Sequence, residues 1–232
     1  MLERYEKALE AWQALDAAGR GAREKELTEF GVRFAYHSVR LERQETSFCA
    51  ARQIFLGTLP PERRAEEALA PLFAEHECWL LFGQCAGGRP VDAELALALN
   101  AALCRGLEKE SGLKPEAADG LAELLREVGS YTGPSILKAG TYLHAAFLYD
   151  CPFGRYNGRT ARWLLNCYLI SRGHPPLVFF CYDRRMYYEC MVRYFEQEEL
   201  EPLYNFLQYE AGRSWLAPAP QKESALPQAA GV

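Results

Sequence analysis

The segment that decides the fold of this 232-residue chain reads Cys151-Pro152-Phe153-Gly154-Arg155-Tyr156-Asn157-Gly158-Arg159-Thr160-Ala161-Arg162. Apolar patterns with helical spacing flank it on both sides, and its proline, glycines and asparagine favour a turn between two helices. Asn157 is a residue type that caps a following helix, whose free amide groups attract anions. Arg159 and Arg162, three residues apart, would share one face of that helix and suit a polyphosphate. Ordinary solvated or ion-paired arginines would have the same spacing.

The segment resembles the signature of the Fic (Fic/Doc) family, usually His-Pro-Phe-x-Asp/Glu-Gly-Asn-Gly-Arg-x-x-Arg. Six positions match in register, namely Pro152, Phe153, Asn157, Gly158, Arg159 and Arg162. Three positions differ: Cys151 replaces the histidine, Arg155 the acidic residue and Tyr156 the first glycine. These departures fall on the positions that carry the chemistry of the family.

The resemblance implies a function in nucleotide chemistry. Most Fic enzymes transfer AMP from ATP to a protein hydroxyl, with the histidine as general base and the acidic residue holding Mg²⁺. Carried over by position, the resemblance gives a nucleotide or phosphate site formed by Arg155, Asn157, Gly158, Arg159 and Arg162. It places Cys151 at the catalytic position. The resemblance also implies ATP or another nucleotide as the ligand.

Cys151 and Arg155 change what this site can do. A neutral thiol is a poor base towards an alcohol, so Cys151 is open to three interpretations: a structural thiol, a reactive nucleophile or a surrogate base. A guanidinium cannot ligate Mg²⁺, and we predict no metal ligand here. Arg155 would instead contact a phosphate directly. His144, two helical turns before Cys151, is either a packed histidine or a relocated base.

A second, weaker motif lies upstream at residues 38–43. Ser38 and Glu42 match the spacing of the family's inhibitory Ser/Thr-x-x-x-Glu-Gly/Asn helix, whose glutamate enters the nucleotide site, whereas Arg43 replaces the small residue. Four residues apart, Ser38 and Glu42 would share a helix face. The alternative is a solvated glutamate between Arg40 and Arg43.

The chain as a whole predicts an all-α fold, and the resemblance implies a Fic-type helical domain with an N-terminal inhibitory-type helix. Helices are expected at 4–17, 22–37, 48–55, 91–107, 116–128, 135–149, 157–173, 183–193 and 199–215, with one long or two short helices at 62–82 and a glycine-rich loop at 83–90. Only about eight residues separate the helices before the signature, which leaves little or no room for the β-hairpin flap usual in the family. We divide the chain into an N-terminal helical region (1–90), a Fic core (91–216) and a disordered tail (217–232).

Composition limits the partners. A net charge of −5 argues against a broad nucleic-acid surface, and eight cysteines without a Cys-x-x-Cys pair argue against a zinc site. The N-terminus lacks a signal-peptide core and no apolar run is long enough to span a bilayer, so we expect a cytoplasmic protein that does not bind membranes. A protein target or partner and a nucleotide are expected, and a homodimer is an option.

Two functions follow from these residues. The first is a degenerate Fic-domain protein, a pseudoenzyme that keeps a nucleotide or phosphate pocket but has lost or altered AMP transfer (AMPylation). The second is an active atypical transferase that moves AMP or another phosphate-containing group from a nucleotide to a protein hydroxyl, with autoinhibition by Glu42. Whether the chain is an enzyme is left open by the sequence.

Overall fold

The computed structural model describes residues 2–105 and 112–216, and these residues form ten α-helices. In chain order they are α1 (Leu2–Ala17), α2 (Arg20–Leu41), α3 (Phe48–Phe55), α4 (Ala70–Ala86), α5 (Ala93–Cys104), α6 (Ala118–Gly129), α7 (Ile136–Asp150), α8 (Asn157–Ile170), α9 (Arg184–Gln197) and α10 (Glu201–Leu216). Among the described residues, β structure is limited to a single bridge between Leu113 and Phe153. The predicted all-α class is therefore confirmed.

The central element is α8, which follows the signature segment. Every side chain from Arg159 to Ile170 is buried, because α4, α5 and α7 all pack against this helix. A helix that is buried on all sides is normally apolar all round. The two arginines and Asn166 are therefore polar groups that the surrounding structure must pair.

Close packing between α7 and α8 depends on Gly140. A Cβ atom at this position would lie 2.8 Å from Leu165 Cδ1 and 3.2 Å from Tyr168 Cδ1. Because these are side chains of a close-packed core, neither has free space to move into. Gly140 therefore sets how near the helix before the signature comes to the helix after it.

The segment after α8 is held in place by Asn166. Its side-chain nitrogen donates to the Leu177 carbonyl at 3.0 Å, and its side-chain oxygen accepts from the Leu177 amide at 2.7 Å. A buried amide side chain that is paired in this way substitutes for a strand partner. This contact leads the chain to α9, which borders the site described below.

Helix boundaries differ from the predicted ones in two places that matter. Helix α2 continues past residue 37 to Leu41, so that Ser38 is inside the helix and Glu42 is its C-cap. The predicted glycine-rich loop at 83–90 begins too early, because α4 continues through Gly83 to Ala86. Phe82 and Cys85 are buried there, and this packing outweighs the low helix propensity of one glycine.

Two predictions fall wholly or partly outside the described residues. The tail at 217–232 lies beyond them, and so do residues 106–111, where a flap would have to form. Residues 112–114 are described, and they pair with the signature segment: the Lys114 amide donates to the Pro152 carbonyl at 2.9 Å. None of the described helices combines the length and apolar character needed to cross a lipid bilayer.

Candidate functional site: an anion cradle closed by a glutamate

The signature segment forms a loop with two left-handed residues. Cys151 ends α7 at φ 45°, and Tyr156 precedes α8 at φ 56°. Positive φ is unfavourable for residues with a Cβ, so both conformations must be stabilised by the surrounding contacts. Between the two residues the loop reverses direction, which places Cys151 and the first turn of α8 on one cavity.

Asn157 closes this loop and does not cap the helix, contrary to our expectation. Its side-chain oxygen accepts from the Phe153 amide at 3.0 Å, and its side-chain nitrogen donates to the Phe153 carbonyl at 2.8 Å. Tyr156 occupies the N-cap position, where no side chain bonds the helix amides. The first turn of α8 therefore lacks a side-chain cap from its own N-cap residue.

Asn100 of α5 holds the backbone of the loop through its side-chain amide. Its side-chain nitrogen donates to the Arg155 carbonyl at 2.8 Å and lies 3.1 Å from the Thr160 hydroxyl oxygen. The Thr160 hydroxyl also donates to the Tyr156 carbonyl at 2.9 Å. The backbone at 155 and 156 is thus fixed by groups other than the side chains at these two positions.

A cavity of about 560 Å³ opens above the loop. Its lining includes five of the predicted site residues: Cys151, Arg155, Asn157, Gly158 and Arg162. Glu42 lines it as well, together with Tyr156 and with Leu148, Tyr187, Tyr188, Met191 and Phe195 from α7 and α9. The structure therefore brings the predicted anion-binding residues, the residue at the base position and the predicted inhibitory glutamate to one hollow.

Arg162 is buried at the base of this cavity. Its guanidinium donates to the Glu42 carboxylate at 3.0 Å and to the Ser38 carbonyl at 3.1 Å, and its Nε lies 3.2 Å from the Ser38 hydroxyl. Ser38 and Glu42, which the sequence paired as an inhibitory motif, thus contact the same arginine. A side chain that is 1% exposed and contacts one carboxylate and two neutral oxygens is held in a single geometry.

Arg159 is buried as deeply but lies beneath the cavity and does not line it. Its Nε is 3.1 Å from one Glu42 oxygen and 3.6 Å from Glu75 Oε1, and it donates through Nη2 to Gln44. Its guanidinium also lies over the Tyr156 ring at 5.3 Å from the centroid. Both signature arginines therefore converge on Glu42, although only Arg162 borders the open space.

Glu75, on α4, is a member of this cluster that the sequence did not reveal. Its carboxyl is fully buried and accepts from the Trp163 indole at 2.6 Å. Burial raises the pKa of Glu75, and the nearby guanidinium groups of Arg159 and Arg162 oppose part of that rise. An acidic residue inside an apolar helix such as α4 was the available signal, because such a residue needs a buried partner.

Glu42 occupies the position over the N-terminus of α8. A Cβ atom at Gly158 would lie 3.2 Å from Glu42 Oε1 and 3.2 Å from Arg162 Nη1. The carboxylate is therefore in close contact with the first turn of the helix, where the amide groups and the helix dipole favour negative charge. Its side chain is 25% exposed, in contrast to the two buried arginines that it contacts.

Cys151 and Arg155 border the cavity in different ways. The Cys151 thiol donates to the Leu148 carbonyl at 3.0 Å, within its own last helical turn. Arg155 is exposed, and its backbone is held by Asn100. Among the lining residues only Glu42 offers a carboxylate, and it is paired with two arginines, so these residues do not fit the oxygen-rich ligand set that Mg²⁺ requires.

His144 is packed inside the protein, next to the cavity wall. Its Nε2 lies 2.8 Å from the Tyr187 hydroxyl, and its ring stacks on Phe179 with centroids 5.1 Å apart. Burial lowers the pKa of His144 to about 3, so the ring is neutral. Burial also raises the pKa of Tyr187. This arrangement favours the packing role over that of a relocated base.

Acid should destabilise the protein through its buried histidines. Burial lowers the pKa of both His37 and His144 to about 3. Each ring stays neutral in the folded state but takes up a proton near pH 6.5 when the chain is unfolded. The folded state therefore loses stability relative to the unfolded state as the pH falls below about 6.5. Between about pH 6.5 and 4.5, the unfolding free energy of His144→Asn should fall by on the order of 2 kcal/mol less than that of the unaltered chain. Denaturant titrations at both pH values measure it, and an unchanged slope would contradict it.

The comparisons with known proteins bear on the fold. The sequence matches no model of a known protein family, and no curated protein sequence matches it either. Solved structures do match: a Fic domain containing signaling protein from Bacteroides thetaiotaomicron superposes with a TM-score of 0.74 at 16% identity, over 92% of this chain and 94% of that one.

Two further structures give the same result. Fic-1 from C. elegans, in the form with the substitution E274G, matches with a TM-score of 0.72 at 16% identity, over 92% of this chain and 70% of that one. A Fic family protein from Desulfovibrio desulfuricans G20 matches with a TM-score of 0.69 at 14% identity, over 92% of this chain and 73% of that one. The fold of this chain is thus that of Fic-domain proteins, as the signature segment predicted.

Proposed function

We propose that this chain is a member of the Fic family that keeps the anion-binding half of the site and has lost or altered the AMP-transfer half. The observation that carries the proposal is the convergence of two buried arginines, Arg159 and Arg162, on one carboxylate over the start of α8. Such a constellation holds negative charge, and a nucleotide phosphate is the ligand that the resemblance implies. A protein target or partner remains part of the proposal.

Glu42 is the intramolecular inhibitor in this proposal. Its carboxylate already forms ion pairs with both guanidinium groups and lies 3.2 Å from where a Cβ of Gly158 would be. A phosphate group and this carboxylate cannot both occupy the first turn of α8, since like charges at that distance repel strongly. Nucleotide binding therefore requires Glu42 to move out, which its partial exposure permits.

The altered chemistry rests on the residues that replace the reactive groups. A thiol at 151 lacks the proton affinity of an imidazole near neutral pH. A guanidinium at 155 repels Mg²⁺ and takes the place of the oxygen ligand that would hold it. We therefore expect negligible AMP transfer with Mg-ATP.

The second candidate is an active atypical transferase, and one observation favours it. Arg155 and Cys151 line the same cavity as Arg162, so a cation and a nucleophilic atom border the space that a nucleotide would fill. A guanidinium can stabilise phosphate charge without a metal. Radiolabelled transfer onto protein in the presence of a chelator would favour this candidate over the first.

Glu42→Ala should open the site formed by Arg159, Arg162 and the first turn of α8, which we call the anion cradle, to a nucleotide. We expect it to tighten the binding of ADP and ATP by at least about tenfold, because the competing carboxylate is gone. Calorimetry measures the affinity, and melting temperature with and without nucleotide checks it. Glu45→Ala, an exposed glutamate in the same loop, is the matched control and should bind as the unaltered chain does.

The outcome that would remove the nucleotide site is equally specific. Adding Arg162→Ala to Glu42→Ala should abolish the gain, since the central guanidinium is lost. If ATP, ADP and GTP all produce no heat with Glu42→Ala, while the protein melts cooperatively, the cavity does not bind nucleotides.

A further inference from the structure

A second cavity, of about 830 Å³, lies beside the first on the outer face of α9. We call it the α9 groove, and it is lined by Arg43, Tyr182, Arg184, Arg185, Tyr188, Glu189, Val192 and Arg193. Tyr188 lines both cavities, so the groove runs up to the cavity of the signature loop. Its lining has four arginines and one glutamate, in a chain whose net charge is −5.

The positive charge of the groove is largely available to a ligand. Arg185 pairs with Glu189 at 2.7 Å and Arg193 with Glu199 at 3.9 Å, but all four of these side chains are at least half exposed. Exposed pairs of this kind contribute little and exchange readily for other partners. Arg184 lies over the Tyr188 ring at 5.1 Å, and its buried Nε has no hydrogen-bond partner among the described residues.

Apolar side chains run along the same helix face. Tyr188, Val192 and Phe195 follow one another at steps of four and three residues, and they are 41%, 48% and 39% exposed. Tyr182 extends the strip at one end and Tyr149, which contacts the Phe195 ring at 5.8 Å, at the other. Exposed aromatic residues beside arginines have the composition of protein-binding hot spots.

We propose that the α9 groove binds a protein segment that carries carboxylates next to apolar side chains. The charge of the groove selects for carboxylates, and the strip from Tyr188 to Phe195 selects for apolar groups beside them. A nucleic-acid backbone fits less well, because it carries charge along its whole length and would meet Glu196, Glu198 and Glu199 at the end of α9. A protein segment can place its carboxylates at the arginines and its apolar groups towards that end. The bound segment would lie beside the mouth of the signature cavity, whether or not that cavity binds a nucleotide.

Designed helical peptides test this proposal by fluorescence anisotropy. The first peptide has leucine and tryptophan on one face, flanked by glutamates. The second has lysine in place of each glutamate, and the third keeps the glutamates but has serine in place of the apolar residues. We expect the first to bind in the micromolar range and weaken as salt is added, and the other two to bind at least about tenfold more weakly.

Variants of two arginines that line the groove locate the binding. Arg184→Glu with Arg193→Glu should weaken binding of the first peptide by at least about tenfold. Val192→Ser should weaken it too, but by less. The matched control is Arg20→Glu with Arg126→Glu, the same change of charge on helices α2 and α6, where both arginines are largely exposed. It should leave the affinity within about twofold.

Several results would overturn the proposal. No binding of the first peptide to the unaltered chain would do so, and equal binding of the lysine peptide would show that charge does not select. An equal loss of peptide affinity in the control variant would show that the overall charge of the protein, and not the groove, determines binding. Sedimentation that shows self-association of the unaltered chain, lost in Arg184→Glu with Arg193→Glu, would assign the groove to a second copy. None of these results depends on nucleotide binding.

Discussion

Replacing Arg159 by methionine should destabilise the folded protein by about 3–5 kcal/mol at pH 8. Arg159 is the cation nearest to the fully buried Glu75 carboxyl, at 3.6 Å from Oε1. Methionine has a similar length but no charge, so Glu75 would be left with two neutral groups, the Trp163 indole and the Ser38 hydroxyl, and with the more distant Arg162. Removing one partner of a buried pair leaves the other uncompensated, which is costlier than losing both.

The pH dependence of this loss follows from Glu75. Burial already raises its pKa in the folded protein, and the loss of Arg159 would raise it further. A carboxyl with a raised pKa makes the folded state less stable as the pH rises above the unfolded value of about 4.5. The destabilisation should therefore be small near pH 5 and grow towards pH 8. Denaturant titrations across this range measure it.

A second substitution separates the buried charge from simple loss of packing. Adding Glu75→Gln to Arg159→Met should restore a large part of the stability at pH 8, because the uncompensated charge is removed. Arg126→Met, which breaks an exposed pair with Glu123, is the matched control and should change the unfolding free energy by less than about 1 kcal/mol. A loss in Arg159→Met that Glu75→Gln does not reduce would show that the pair does not carry the stability.

The sequence was sufficient to predict the helix that follows the signature. Turn residues before an apolar helical pattern specify where α8 begins, and both observations are local in the chain. The burial of Arg159 was not predictable in this way. Its partner Glu75 belongs to α4, and only the packing of α4 against α8 brings the two charges together.

The role of Asn157 shows how a local rule can be overruled. Asparagine before an apolar helix predicts an N-cap, but Tyr156 adopts the left-handed conformation and takes that position. Asn157 then bonds both polar groups of Phe153 and closes the loop. The bridge between Leu113 and Phe153, formed by residues 40 positions apart, fixes Phe153 in turn, and no local pattern indicates it.

Restoring the family residues should produce AMP transfer where we expect almost none. The variant combines Cys151→His, Arg155→Asp and Tyr156→Gly with Glu42→Ala. A positioned imidazole base contributes about 10²–10⁴-fold to a proton-transfer step, and the carboxylate supplies an oxygen ligand for Mg²⁺. We therefore expect incorporation of radiolabelled AMP from ATP into the protein itself to rise by at least about a hundredfold.

The loop should tolerate these substitutions. Histidine is among the residues that adopt positive φ more readily, which suits position 151 at φ 45°. Glycine at 156 removes a strain of about 1 kcal/mol, although it also removes the ring that packs on Arg159. At position 155 the side chain is exposed, and Asn100 holds only the backbone carbonyl. The carbonyl groups of residues 155 and 156 are thus held by Asn100 and Thr160, which the variant keeps.

Two controls decide how the result is to be understood. The restored variant with Arg162→Ala should lose the labelling, since the proposed phosphate site would be lost. The version that keeps Glu42 should label more weakly than the one without it. Labelling of the unaltered chain that depends on Arg162 would instead show that Cys151 and Arg155 support transfer as they stand. A restored variant that folds and binds ATP, yet stays unlabelled, would mean that the anion cradle serves binding alone.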